Sequence, residues 1–125
     1  MPKSFLLLAA ISGFLVVALG AFGAHGLKEK ISADLLAVWH TGVLYQMFHT
    51  LALLAVALLL TQLPTSTALR CSGWLFVAGT VIFSGSLYLL ALTGTRWLGA
   101  VTPLGGVAFL GGWLSLVVAA WQWAK

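Results

Sequence analysis

The sequence predicts an all-α fold: a four-helix antiparallel transmembrane bundle with short loops and one charged interfacial segment after helix one. Three observations carry that prediction. The 125 residues are 62% hydrophobic and 6% charged, against roughly 45–50% and 25% in an average soluble domain. The apolar residues fall in four runs, at about 4–25, 41–62, 72–92 and 103–121, each close to the ~20 residues that cross a bilayer core. Short polar stretches separate the runs, so successive helices reverse direction as neighbours.

So few charges cannot cover a water-facing domain, and residues 1–125 are read as a single transmembrane domain. Six basic and two acidic residues give a formal charge of +4. They are scattered singly and lack the cluster of Lys and Arg that nucleic-acid binding requires. The single Cys71 excludes an internal disulfide and a multi-cysteine metal site. At the start of an apolar run it reads as a small hydrophobe.

The first run, from Ser4 to about His25, follows only Lys3. Lys3 and the small residues Ala21 to Ala24 imitate a secretory signal, but the length suits a first spanning helix, and that is the expectation. Ala9, Gly13, Gly20 and Ala24 fall on one stripe by helical spacing. Small residues there let a neighbouring helix approach, so the stripe is an expected packing face. His25 closes the run as its first ionisable side chain and needs a partner or water.

In LKEKISADLLAVWHTG, Ser32 is placed to cap a new helix, with Asp34 in the first turn where it favours the helix dipole. This segment could lie in the interface or form the first turns of the second span. A continuous helix is favoured, because Gly42 alone costs only ~1 kcal/mol and no proline intervenes. With the interface near Thr41, Gln46 lies ~7 Å and His49 ~12 Å deeper at 1.5 Å per residue, which puts His49 near the bilayer centre. Gly42, Tyr45, Gln46 and His49 share a face by i, i+3, i+4 spacing and must point into the bundle.

LPTSTALR reads as a short turn in which Pro64 ends the second helix and Thr65, Ser66 or Thr67 caps the third. The third span carries Ser84, Gly85 and Ser86 at its middle, where hydroxyls bond to their own helix or a neighbour. TGTRWLGAVTP turns the chain again, with Arg96 and Trp97 as interface anchors. Pro103 fits the first turn of the fourth helix, with Thr102 as its cap. Gly105, Ala108, Gly112, Ser115 and Ala119, spaced by three and four, form the longest small-residue stripe and a second expected packing face. Trp39, Trp74, Trp97, Trp121 and Trp123 suit an interfacial belt, and Trp113 is the exception.

Four spans put both termini on one side. Lys3, Arg70 and Lys125 fall there, and Lys28, Lys30 and Arg96 fall on the other, so counting positive charges gives no orientation. The slight lean is to termini in the cytoplasm.

The motifs GAFGAHGL, TGVLYQMFHTLALL, FSGSLYLLALTG and LGAVTPLGGVAFLGGW occur in that order, and with them the chain resembles the YgdD-like family of small bacterial inner-membrane proteins of unknown function. The resemblance spans all four helices. It implies a multi-pass inner-membrane protein with no established activity, and it marks Gly20, Gly23, His25 and Gly26, then Gly42, Tyr45, Gln46 and His49, then Ser84 and Gly85, and Pro103, Gly105 and Gly106. His40 and Leu44 depart from the pattern, where the family more often has Gln or Glu and a polar residue, so His40 is not expected in a shared mechanism.

Alternating helix directions bring His25, Tyr45 and Thr102 to one membrane face. A polar pocket of His25, Tyr45, Gln46, His49 and Thr102, floored by His49, is the sharper expectation. The plainer one is that Gln46 and His49 bond to serines or carbonyls on adjacent helices and set their register. No metal is expected: His40 and His49 lie about 13 Å apart along one helix and cannot share an ion. No nucleophile stands beside a base, so no catalytic residue and no cofactor is assigned, and the chain is not expected to be an enzyme. The function expected is structural or accessory, with membrane lipids, a second copy or another membrane protein as partners and no nucleic acid. The alternative is a transporter or channel component using the pocket around Gln46 and His49.

Overall fold

The computed structural model describes residues 2–123, and within them the chain is wholly helical apart from turns. Helix α1 covers Pro2–His25 and α2 covers Ala33–Gln62. The third span, Thr67–Thr93, is α3 (Thr67–Gly79), a π-helical segment (Thr80–Ser84) and α4 (Gly85–Thr93) in continuous succession. Helix α5 covers Leu98–Gln122. These four helical rods are each long and apolar enough to cross a membrane. At 1.5 Å per residue the shortest reaches ~36 Å, against a hydrocarbon core of ~30 Å.

Local signals set the boundaries. Ser32 accepts a hydrogen bond from the Leu35 N–H, and α2 then runs unbroken through Gly42 into the membrane. Ser66 does the same for Leu69 at the start of α3, and the Arg70 guanidinium donates to the Pro64 carbonyl at 2.6 Å across that turn. Gly94 ends α4 at φ +69°, a left-handed conformation that glycine adopts without strain. Between α1 and α2, residues 26–32 form turns held by Leu27, which is buried, while Lys28, Glu29 and Lys30 are exposed.

One boundary differs from the sequence expectation. Helix α5 begins at Leu98, a turn and more before Pro103, so Thr102 lies inside the helix and is not its cap. Its hydroxyl donates to the Leu98 carbonyl and shares a 2.5 Å hydrogen bond with Ser86. Pro103 is tolerated because only one amide, pairing toward Gly99, is lost so near the helix start.

Aromatic rings seated on glycines organise the packing. Phe5 of α1 lies over Gly73, Trp39 of α2 over Gly23, Phe76 of α3 over Gly112, Tyr88 of α4 over Gly42, and Phe109 of α5 over Gly79. A Cβ added at any of the five would stand 2.4–2.7 Å from the ring, so no larger residue fits without displacement. Phe5 and Phe76 are completely buried. With Leu53, Val56, Leu60 and Leu69 they form the core at the end of the bundle where α2 turns into α3. A smaller cluster around Leu27, Trp39 and Ala91 closes the opposite end. Outward, Leu104, Val107, Leu110, Leu114 and Val117 make one exposed apolar face along α5, and Leu7, Phe14 and Val17 do so on α1. Such faces suit lipid contact.

Trp39 does not belong to an interfacial belt. It is 2% exposed, and its indole N–H donates to the Leu19 carbonyl at 2.9 Å, so α1 and α2 enclose it. Trp74, Trp97, Trp121 and Trp123 are exposed at run ends, as an interfacial position requires. Cys71 is also exposed, on α3.

Candidate functional site

Gln46 and His49 of α2 are buried in the middle of the bundle, where each faces a different neighbour. Gln46 turns toward α1 and α4. Its amide N–H₂ donates to the Ser12 carbonyl (3.3 Å) and hydroxyl (3.1 Å), while its Oε1 accepts from the Tyr88 hydroxyl at 2.6 Å. Ser12 is in turn 2.6 Å from the Thr50 hydroxyl. Three spans are thus tied by one network centred on a side chain that is 5% exposed.

His49, one turn deeper and 4% exposed, turns toward α5. The Trp113 indole N–H donates to its Nε2 at 3.1 Å, and its Nδ1 lies 2.9 Å from the Tyr45 carbonyl. An indole only donates and a carbonyl only accepts. Nε2 therefore carries the lone pair and Nδ1 the proton: His49 is the neutral Nδ1–H tautomer with both nitrogens in use. Its ring is stacked on Phe109, centroids 3.5 Å apart and planes 7° from parallel.

Hydroxyls close the remaining interfaces. Ser84 donates to the Gly42 carbonyl at 2.7 Å, joining the third span to α2, and Ser72 donates to the Gly112 carbonyl at 2.8 Å, joining it to α5. Both are buried and both reach a glycine, whose missing side chain leaves the carbonyl accessible. Among the described residues no buried side-chain polar atom lacks a partner. That agrees with the cost of an unpaired polar group in hydrocarbon.

The five residues expected to form one pocket are therefore distributed. Tyr45, Gln46 and His49 are neighbours on α2, but Gln46 serves the α1 side and His49 the α5 side. Tyr45, expected to point inward with Gln46 and His49, is instead 40% exposed at the bundle surface, with its ring beside His49 and Phe83. Thr102 pairs with Ser86, and His25 is exposed at the end of α1 and joins none of them. On the first packing stripe Ala9 is buried, Gly13 lies against Thr50 and Gly20 against Val43. Ala24 faces outward, and Gly23 makes the contact in its place by receiving Trp39. On the second stripe Gly105, Gly112 and Ala119 are buried and Ala108 and Ser115 partly so. Gly105 sits so close to the third span that a Cβ there would be 2.4 Å from the Phe83 backbone nitrogen.

Two clefts flank His49. One, of about 410 Å³, lies between α1, α2 and the third span and is floored by Ser12, Gln46 and Ser84. The other, of about 460 Å³, lies between α2 and α5 and is lined mainly by aromatic and aliphatic side chains, with Phe83, Phe109 and Trp113 around His49. Sequence reasoning missed Trp113, Tyr88, Ser12 and Thr50 as members of the polar system. The available signal was that Gln46 and His49, facing inward at mid-membrane, need donors and acceptors at the same depth on other helices. Among the described residues no group of three His, Cys, Asp or Glu is placed to hold a metal ion.

The family model described as "Protein of unknown function (DUF423)" matches residues 19–106. A relative in Bacillus subtilis, named UPF0382 membrane protein YwdK, is 54% identical over 94% of this chain and 96% of its own length. UPF0382 membrane proteins of Staphylococcus saprophyticus and Staphylococcus epidermidis are each 48% identical, over 96% and 98% of this chain and 98% of their own lengths. No solved structure matches.

Proposed function

For this chain, which belongs to the DUF423 family of membrane proteins of unknown function, we propose a structural or accessory role in the membrane, without catalysis. The observation that carries it is the saturation of the interior. Gln46 and His49, the groups best placed to handle a solute or proton, spend their hydrogen-bonding capacity on Ser12, Tyr88, Trp113 and the Tyr45 carbonyl. The glycines of the small-residue stripes are used inside the bundle: Gly13 lies against Thr50, Gly20 against Val43, Gly105 against Phe83 and Gly112 against Phe76. What remains for contact is the broad apolar surface of α1 and α5, which offers membrane lipid, a second copy or another membrane protein a large area without a polar demand. A helical rather than barrel architecture, with bacterial relatives, favours the plasma membrane, and on this proposal both termini face the cytoplasm.

A second reading, a transporter or channel component, has one observation behind it: clefts approach His49 from two sides. Reconstitution into liposomes separates the two. The accessory reading predicts proton and small-solute flux equal to that of empty liposomes. Flux that depends on protein and falls on His49→Leu substitution would favour the transporter.

A further inference from the structure

The cleft between α1, α2 and the third span contains one hydroxyl that the polar network does not use. Thr80 begins the π-helical segment midway along the Thr67–Thr93 span and lines the cleft, and among the described residues its side chain has no hydrogen-bond partner. A threonine inside a helix ordinarily donates to the carbonyl a turn earlier, as Thr41 and Thr93 do here. The neighbouring cleft groups Ser12, Gln46, Thr50, Ser84 and Tyr88 are all bonded to one another or to backbone. Thr80 thus presents a free O–H donor at the depth where water is scarcest.

Room is available beside it. Gly85, also on the cleft, would carry a Cβ with nothing within 4 Å, unlike the five ring-bearing glycines. The volume of about 410 Å³ falls within the range of small-molecule sites. Ile11, Leu15 and Val81 line the cleft and are all exposed, so it opens sideways to the lipid. No charged side chain lines it.

We propose that this cleft binds a neutral, membrane-soluble amphiphile carrying a carbonyl oxygen, of the quinone class, with the oxygen accepting from Thr80 and the tail leaving between α1 and the third span. The absence of charge rejects ions and phosphate headgroups. Depth rejects the ester carbonyls of a glycerolipid, which lie at the interface about 15 Å from the midplane of a ~30 Å core. A glycerolipid could deliver only a hydrocarbon tail, which leaves the Thr80 donor unmet. The proposal goes beyond the accessory role and does not depend on it.

The test uses the full chain in lipid nanodiscs with a photoreactive benzoquinone bearing a diazirine in its alkyl tail, labelled sites being located by mass spectrometry. Saturable labelling of peptides from α1 and the third span is expected. Unlabelled decyl-benzoquinone should compete, and decylbenzene, which has the tail but no carbonyl, should compete at least fivefold less well. Thr80→Val, which keeps the shape and removes the donor, should raise the half-saturating concentration about five- to tenfold, the value of one hydrogen bond. Gly85→Leu should fill the cleft and abolish labelling while helix content is retained. Labelling that does not saturate, equal competition by decylbenzene, or unchanged labelling of Gly85→Leu would overturn the proposal. If Thr80→Val does not fold, the competition and the Gly85 variant decide.

Discussion

The indole N–H of Trp113 donates to Nε2 of His49 across the α2–α5 interface at 3.1 Å. This bond fixes the tautomer of a histidine at mid-membrane, and under the proposed accessory role it makes the side chain most suggestive of chemistry a fastening. Trp113→Phe keeps an aromatic side chain but deletes the donor together with the fused five-membered ring. It should destabilise the protein by about 1 kcal/mol, within the range measured for hydrogen bonds between membrane helices. In a double-mutant cycle with His49→Leu, most of that loss should vanish, because the partner is then absent. Unfolding of the purified variants in mixed detergent micelles provides the measurement.

The central network makes a second prediction. Gln46→Leu deletes the hub between Ser12 and Tyr88 and leaves the Tyr88 hydroxyl and Ser12 without their shared partner. A loss of about 2 kcal/mol is expected, from three hydrogen bonds removed and the Tyr88 hydroxyl left without its acceptor. Tyr88→Phe should cost less. The double variant should be more stable than the sum of the two single losses implies, since removing both partners leaves no stranded group.

Backbone contact should be less forgiving than ring contact. At Gly105 an added Cβ would meet the Phe83 main chain at 2.4 Å, whereas at Gly106 it would meet nothing within 4 Å. Gly105→Ala should therefore destabilise by about 2–3 kcal/mol, the upper range for overpacking. Gly106→Ala should be neutral or slightly stabilising through helix propensity. Thermal unfolding in detergent of this adjacent pair controls for membrane insertion, which both variants share.

The outer face of α5 should behave in the opposite way. Val107 is 66% exposed on a face with Leu104, Leu110 and Leu114. Val107→Leu should leave stability unchanged. Val107→Lys should reduce membrane insertion, because a lysine at the centre of a span costs about 2.5–3.5 kcal/mol on the translocon scale. The fraction integrated in a microsomal insertion assay reads this directly.

Much of the helical frame follows from single-residue rules that act locally. Ser32 and Ser66 cap because their hydroxyls reach an N–H three residues on, and Pro64 cannot continue a helix, so these boundaries could be placed without knowing any neighbour. The inward direction of Gln46 and His49 followed from the cost of exposing them to lipid. Their partners did not follow, because Trp113 and Ser12 are 64 and 34 residues away and their depth depends on how the helices slide past one another. The π-helical segment was equally hidden. TVIFS is an unremarkable helical string, and the segment lies where Gly105 presses on Phe83 and Ser84 reaches the Gly42 carbonyl. Trp39 looked interfacial by its position at the end of an apolar run, but the hollow at Gly23 and the Leu19 carbonyl draw it inside.

The claim that the buried polar groups serve as fasteners is tested most directly by ¹⁵N solid-state NMR of His49 in lipid bilayers. The account predicts a neutral ring with the proton on Nδ1 and a magnetisation-transfer contact between Nε2 and the Trp113 indole proton. A proton on Nε2, or an Nε2 in contact with water and not with Trp113, would contradict it.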